Sequence, residues 1–297
     1  MPELPEVEVL VRQLDPCLRD RRVQSVAVRR AKIVRPYSEA ELQAALVGRI
    51  FQSVTRRGKC LRFQFRESPG VPPLTVLGHL GMTGRIYLQS FQVPLPKHVG
   101  VAVDLDSARL IFEDTRQFGR FCLGELSQVS VGPEPLGTEF TPAVLQEAMS
   151  GSRQPVKVRL MDQSVIAGIG NIYASEALFR ARISPRTRCC DLTSESFQRL
   201  WQSIREVLNE AIQRGSSIPF NGPEDRERLF HYGRNARATA TNVSLAFQVY
   251  DREHLPCVNC GRAVERMVQA GRSTFFCTGC QPGASGNGIQ KPGETAC

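Results

Sequence analysis

Residues 130–142 read SVGPEPLGTEFTP, and the spacing of apolar residues changes across them. Upstream, from about 23 to 125, the runs VQSVAVRRAKIV, LRFQF, LTVLGHLGMTGRIYL, VGVAVDLD and RLIFED are β-branched or alternating and lie between turn-bounded gaps. That is the pattern of an all-β sandwich. Downstream, apolar residues recur at helical spacing near 142–150, 154–162, 171–181, 193–214 and 223–230. In the longest of these Phe197, Leu200, Trp201, Ile204, Val207, Leu208 and Ile212 share one stripe. A Pro- and Gly-rich connector at the change of period marks a domain boundary. Ahead of the β region, PEVEVLVRQL (5–14) puts Val7, Val9, Leu10 and Leu14 on one face, with Glu6 and Glu8 near the positive helix end. A short leading helix is expected there. Residues 216–222 and 232–243 read as loops and LAFQVYD (245–251) as a strand. The fold class is α+β and multidomain.

The 297 residues carry Lys+Arg 38 against Asp+Glu 29, a net charge of +9. With 41% hydrophobic and 23% charged residues, the chain lies far from disordered, collagenous and fibrous compositions. No stretch approaches the roughly 18 apolar residues of a membrane span, and MPELPEVEV lacks the basic-then-apolar layout of a signal peptide. The expectation is a soluble, cytoplasmic protein, and the positive excess favours a polyanionic partner. Lysine is scarce: Lys32, Lys59, Lys97, Lys157 and Lys291 are the only ones, so arginine is the default cation and each lysine invites a reason.

Of the ten cysteines, six are scattered; Cys257, Cys260, Cys277 and Cys280 form C-x2-C-x16-C-x2-C. This spacing places four thiolates around one tetrahedral Zn2+ from two facing turns. All four positions are protein ligands, so the metal is a structural staple with no open position for catalysis.

Two further segments carry candidate chemistry. In MPELPEVE, removal of Met1 leaves Pro2 with a free secondary amine. A generic α-amine titrates near 7.7–8 against about 10.4 for lysine, so it attacks a carbonyl or sugar carbon without the burial a lysine needs. Glu3 and Glu6 stand beside it as acid and base candidates. The same residues also suit a plain helix start, with Pro at the first turn and carboxylates at the positive end. In GIGNIYASEALF (168–179) two glycines bracket a turn before a helix beginning near Asn171. That layout suits either a phosphate at the helix N-terminus or a close-packed αα-hairpin.

Taken in order, MPELPEVE, Lys59 in RRGKCLRF, HLGMTGR, EDTRQFG, DQSVIAGIGNIYASE and the four-cysteine finger resemble the formamidopyrimidine-DNA glycosylase family, over residues 1 to about 282. PELPE at the start resembles the members that excise oxidised purines; the endonuclease VIII sister enzymes usually have Gly where Leu4 stands. The resemblance implies an N-terminal catalytic β-sandwich domain with its leading helix (1–132), a helix-two-turns-helix DNA-binding domain (133–245), a β-hairpin zinc finger (246–282) and a disordered tail (283–297). It implies a base-excision repair glycosylase with AP lyase activity acting on double-stranded DNA that contains oxidised bases. It further implies a monomer with no membrane partner, associated with the nucleoid.

The catalytic set carried by the resemblance is Pro2, Glu3, Lys59 and Arg272. Pro2 is the nucleophile, Glu3 the acid that protonates the opening sugar, and Lys59 the hairpin lysine on the phosphate flanking the lesion. Arg272 matches a phosphate-binding position in the finger. Glu6 is a supporting carboxylate; His79 and Asn171 match phosphate-binding positions. Extruding a base costs a few kcal/mol of stacking and leaves a hole. Met82 and Phe118 resemble the wedge that fills it, and Arg116 the donor to the orphaned opposite base. Two features depart from the family pattern: residues 216–243, where the lesion-capping loop is expected, and Gln117, where a second basic residue is common. Two alternatives stay open, selectivity for oxidised pyrimidines as in endonuclease VIII and a non-catalytic damaged-DNA-binding paralogue.

Overall fold

The computed structural model describes residues 1–67, 73–124, 131–216 and 247–282. The chain folds as two compact units. One comprises Met1–Phe140, Asp162–Gly170 and Arg205–Ala246, and the other Thr141–Met161, Asn171–Ile204 and Phe247–Cys297.

The first unit is the sandwich. Helix α1 (Leu4–Leu18) leads into strands β1 (Val23–Val28), β2 (Ile50–Arg57), β3 (Cys60–Arg66), β4 (Leu74–His79), β5 (Gly84–Gln89), β6 (Val99–Leu105), β7 (Arg109–Asp114) and β8 (Arg120–Leu123), with α2 (Ala31–Val34) and α3 (Glu39–Leu46) between β1 and β2. The strands form two antiparallel four-stranded sheets, ordered β1-β6-β7-β5 and β2-β3-β4-β8. Alternation in β3 buries Leu61, Phe63 and Phe65. Their inward side chains share one core with Val26, Val103 and Phe112 of the other sheet and with Val7, Leu10 and Leu14 of α1. Each such side chain removed from water stabilises the fold by about 1.5–3 kcal/mol.

Two parts of this region differ from the sequence expectation. The run VQSVAVRRAKIV is a strand only to Val28; Ala31–Val34 is a helical turn that buries Ile33 and Val34. Residues 39–46 form a helix the β reading missed. Ser38 caps it, accepting from the Glu41 N–H while Glu41 accepts from the Ser38 N–H at 2.7 Å, a capping box.

The second unit holds α4 (Pro142–Met149), α5 (Val156–Leu160), α6 (Asn171–Arg180) and the start of α7 (Ser194–Ser216), then the hairpin β9 (Glu265–Gln269) and β10 (Arg272–Phe276). The α7 stripe is buried as expected except for Trp201, which is half-buried. The described part of LAFQVYD is not a strand: residues 247–251 are bend and turn. The N–H groups of Gln248, Val249 and Tyr250, which a strand would give to a neighbour, all donate to the Glu176 carboxylate at 2.8–3.0 Å. Burial pushes that carboxyl up, against these three donors and Arg180, which pull it down. The expected helix near 223–230, the loop 216–243 beyond Ser216 and the tail 283–297 lie outside the described residues. Gln281, just before the tail, is buried. No described helix is long and apolar enough to cross a membrane.

Candidate active site

The N-terminal corner is built by helix capping. Glu3 is the N-cap of α1, and Glu6 Oε2 accepts from the Glu3 N–H at 2.7 Å. Both carboxylates are buried, at 2% and 6% exposure. They therefore serve the helix start, as the plain reading expected, while remaining beside Pro2. A further partner of Glu3 comes from the GIG turn: Gly170 N–H donates to Glu3 Oε2 at 2.8 Å, and Leu4 N–H donates to Gly168 O at 3.0 Å. The two glycines are required by this approach. A Cβ on Gly168 would stand 2.6 Å from Leu4 Cβ, and one on Gly170 would stand 2.4 Å from Glu3 Cδ. Gln163, which the sequence reading did not single out, shapes the turn by accepting from Gly168 N–H at 2.9 Å and donating to Ile169 O at 2.7 Å. The N–H groups of Gly168 and Gly170 are thus engaged within the protein.

Lys59 occupies the two-residue turn between β2 and β3 and is 8% exposed. The neighbouring cations have other tasks. Arg56 donates to Glu8 at 3.0 Å and to Glu134 at 2.8 Å, and Arg57 donates to Gly132 O at 2.8 Å. Burial raises the Glu8 carboxyl, but Arg12 and Arg56 bring it below its ordinary value. Across the β3–β4 register, Cys60 faces His79. Burial, then the charges of Lys59 and Arg120, hold the His79 imidazole below its usual range, and its Nδ1 accepts from Gly81 N–H at 3.1 Å. Lys59 and His79 are therefore close neighbours. Burial, with Cys122 nearby, pushes the Cys60 thiol up to about 11, which leaves it a poor nucleophile.

Met82 and Phe118 sit on adjacent loops and are 45% and 49% exposed, a costly placement for apolar side chains in a sandwich with this much core. Both loops are tied to one buried carboxylate. Asp114, 1% exposed, accepts from Thr83 Oγ1 at 2.5 Å, Arg116 N–H at 3.1 Å and Gly119 N–H at 2.8 Å. Between them Gln117 adopts a left-handed φ of 53°. The Arg116 guanidinium lies 4.7 Å from the Phe118 ring centroid. The structure thus brings Met82, Arg116 and Phe118 together, and Asp114, missed in the sequence, is what holds them.

In the second unit Asn171 opens α6, and its side chain is held at both ends. Lys157 Nζ donates to Oδ1 at 2.6 Å, and Nδ2 donates to Ser273 O at 2.9 Å. Lys157 is fully buried and also donates to Thr274 Oγ1 at 2.7 Å. Arg272 is exposed beside the tight turn Ala270–Gly271, where both residues have positive φ, the mark of a type I′ hairpin.

The four finger sulfurs all lie within 4.8 Å of one another, with Cys257–Cys280 at 3.8 Å and Cys260–Cys277 at 3.4 Å. A tetrahedral zinc with bonds of about 2.3 Å sets its thiolates roughly 3.8 Å apart, so these residues fit one structural Zn2+. Gln281 braces the knuckle: its Oε1 accepts from Cys277 N–H at 3.0 Å, and its Nε2 donates to Ile183 O at 2.9 Å.

Comparison with known proteins follows the same division. Residues 1–121 match the formamidopyrimidine-DNA glycosylase N-terminal domain, 131–221 the formamidopyrimidine-DNA glycosylase H2TH domain, and 255–283 the zinc finger found in FPG and IleRS. The formamidopyrimidine-DNA glycosylase of Chloroflexus aurantiacus is 40% identical over 289 residues, covering 95% of this chain and 98% of that protein. A Lactococcus lactis FPG (MutM) complex with Fapy-dG DNA superposes with a TM-score of 0.79 at 29% identity, covering 95% of this chain and 100% of that one. MutM in complex with carbocyclic 8-oxo-G DNA gives 0.79 at 30% over the same shares. With its domains matched in sequence order and a curated relative this similar along nearly its whole length, the chain belongs to the formamidopyrimidine-DNA glycosylase family.

Proposed function

We propose that the chain is a base-excision repair DNA glycosylase and AP lyase that removes oxidised purines, 8-oxoguanine and formamidopyrimidines, from duplex DNA. The observation that carries the reading is the corner at α1, where Glu3 is buried beside Pro2 and its carboxylate is oriented by Gly170. The relatives seen bound to Fapy-dG and 8-oxo-G DNA supply the substrate class.

In this mechanism the Pro2 amine, freed by loss of Met1, attacks C1′ of the extruded nucleoside. The C1′–N bond breaks, the base leaves with a proton, and Glu3 protonates the opening ring oxygen. The resulting iminium acidifies the C2′ proton, so β-elimination expels the 3′ phosphate and δ-elimination the 5′ phosphate. Lys59 and His79 hold the phosphate next to the lesion, with Glu6 supporting the pocket. Met82 and Phe118 fill the vacated stack while Arg116 bonds the orphaned base. Asn171 and Arg272 grip the backbone, and the zinc supplies no chemistry beyond folding the finger. The enzyme works as a monomer on nucleoid DNA in the cytoplasm.

The test is borohydride trapping on a duplex with one 8-oxoguanine opposite cytosine, followed by peptide mapping. A crosslink at Pro2 is expected. A crosslink with thymine glycol DNA alone would move the substrate to oxidised pyrimidines. No crosslink with either lesion or with an abasic duplex would leave a binding protein.

A further inference from the structure

The turn that carries Lys59 is held from outside its own hairpin. A hairpin tip is where backbone donors run out of cross-strand partners, and each must be satisfied elsewhere. Here Gly58 N–H donates to the Glu134 carboxylate. The same carboxylate accepts from Arg56 Nη1 at 2.8 and 3.1 Å, and Arg57 Nη1 lies 3.5 Å from it. One side chain thereby collects donors from the three consecutive residues that precede Lys59. Arg56, 8% exposed, extends the link through its Nε to Glu8 on α1, the helix that starts at Glu3.

The segment bearing Glu134 also reaches the turn that seats Glu3. Gly132 N–H donates to Gln163 O at 2.7 Å, and Ala167 N–H donates to Pro133 O at 3.0 Å. Three residues on, Gly170 binds Glu3. A Cβ on Gly58 would stand 3.4 Å from Ala167 Cβ, so the hairpin tip rests on that same turn. Residues 131–134 form a strap with the Lys59 hairpin at one end and the seat of Glu3 at the other.

We infer that Glu134 is a positioning residue that sets where Lys59 stands relative to Glu3 and the Pro2 amine. It governs the rate of the chemical steps far more than the affinity for DNA. This rests on the roles of Pro2 and Lys59 proposed above. A charge-assisted anchor suits the task, because such bonds are short and directional, and a displacement of about 1 Å at a reacting group costs on the order of 100-fold in rate.

The experiment is a double-mutant cycle on an 8-oxoguanine:cytosine duplex, comparing parent, Glu134→Ala, Glu134→Gln, Lys59→Ala and the Glu134/Lys59 double variants. Single-turnover excision and DNA affinity are both measured. Glu134→Ala is expected to slow excision about 10- to 100-fold while the Kd moves less than about threefold. Glu134→Gln, which keeps an acceptor for Gly58 but loses the charge facing Arg56, should fall between. In the Lys59→Ala background neither change should slow excision further, since the group being positioned is gone. Additive losses, or a loss confined to Kd, would overturn the inference. If Glu134→Ala does not fold by circular dichroism, the Gln cycle decides alone. A parent that forms no Pro2 crosslink brings down the functional reading beneath; a parent that crosslinks but gives an additive cycle brings down only Glu134.

Discussion

The sandwich and the finger solve the same problem, holding a few polar side chains still, by opposite means. In the sandwich, a continuous core running from α1 through both sheets carries the elements. Carboxylates then aim the loops: the buried Glu3 and Glu6 at the N-terminus, the buried Asp114 under Met82 and Phe118, and the half-buried Glu134 at the Lys59 hairpin. The finger has almost no core of its own. Its buried cluster is Phe179, Val249, Val264 and Phe275 together with two of the cysteines, Cys257 and Cys277. A two-stranded hairpin is marginal in water by itself, so the metal and the bonds from Lys157 and Gln281 replace apolar burial. Where hydrophobic area is ample, polar groups can be spent on orientation; where it is scarce, a metal must come first.

The largest effect should come from breaking the metal site. A structural zinc contributes on the order of 10–16 kcal/mol to finger-type folds. Cys277→Ser is therefore expected to abolish zinc retention and unfold residues 255–282, weakening DNA binding while the sandwich keeps its melting transition. Zinc content and differential scanning calorimetry check it, and loss of both transitions together would erase the contrast between the regions.

The converse cut goes to the sandwich core. Phe63 is fully buried with its ring 5.6 Å from that of Phe121. Phe63→Ala should destabilise the sandwich by about 3–5 kcal/mol in urea unfolding, with zinc content unchanged.

A smaller effect is expected from Asp114→Ala. It strands the buried N–H of Gly119 and releases Arg116, at about 1–3 kcal/mol, and should narrow the preference for the base opposite the lesion more than it slows lyase action on an abasic site. Unchanged discrimination would show that the Met82 and Phe118 loops hold without their carboxylate.

The smallest is a pH effect. His79 titrates lower in the folded chain than unfolded, chiefly through burial and then through Lys59 and Arg120. Its neutral form therefore contributes stability that is complete above about pH 6.5 and is lost as pH falls through the lower folded value. His79→Gln should flatten the part of the melting-temperature decline that begins below that pH and leave the value at pH 8 little changed. An identical acid limb would assign the titration to another group.

Much of this was legible along the chain because it depends on local pattern. The strands of residues 50–66 alternate plainly, α7 carries its stripe, and the cysteine spacing names its metal. What escaped was decided by partners far away in sequence. The strand expected at LAFQVYD has real β propensity, but Glu176 takes its N–H groups 72 to 74 residues away. The helix at 39–46 was masked by strand runs on both sides, though Ser38 and Glu41 spell its cap.

The sequence by itself determined which groups are present and the period of each segment: two sheets' worth of alternating strands, an amphipathic helical region, a zinc-spaced finger, and a proline next to two carboxylates. Those follow from covalent order and short-range sterics. Only the tertiary structure decided which charges are tools and which are scaffolding. Arg56 and Arg57 look like Lys59 in the string RRGK, yet Glu8, Glu134 and the Gly132 carbonyl claim the arginines. Asp114, Glu134 and Lys157 look like surface charges until their backbone partners are seen. The physical reason is that desolvation and hydrogen bonding act through space: a carboxylate becomes an anchor or a solvated charge according to which donors fold against it.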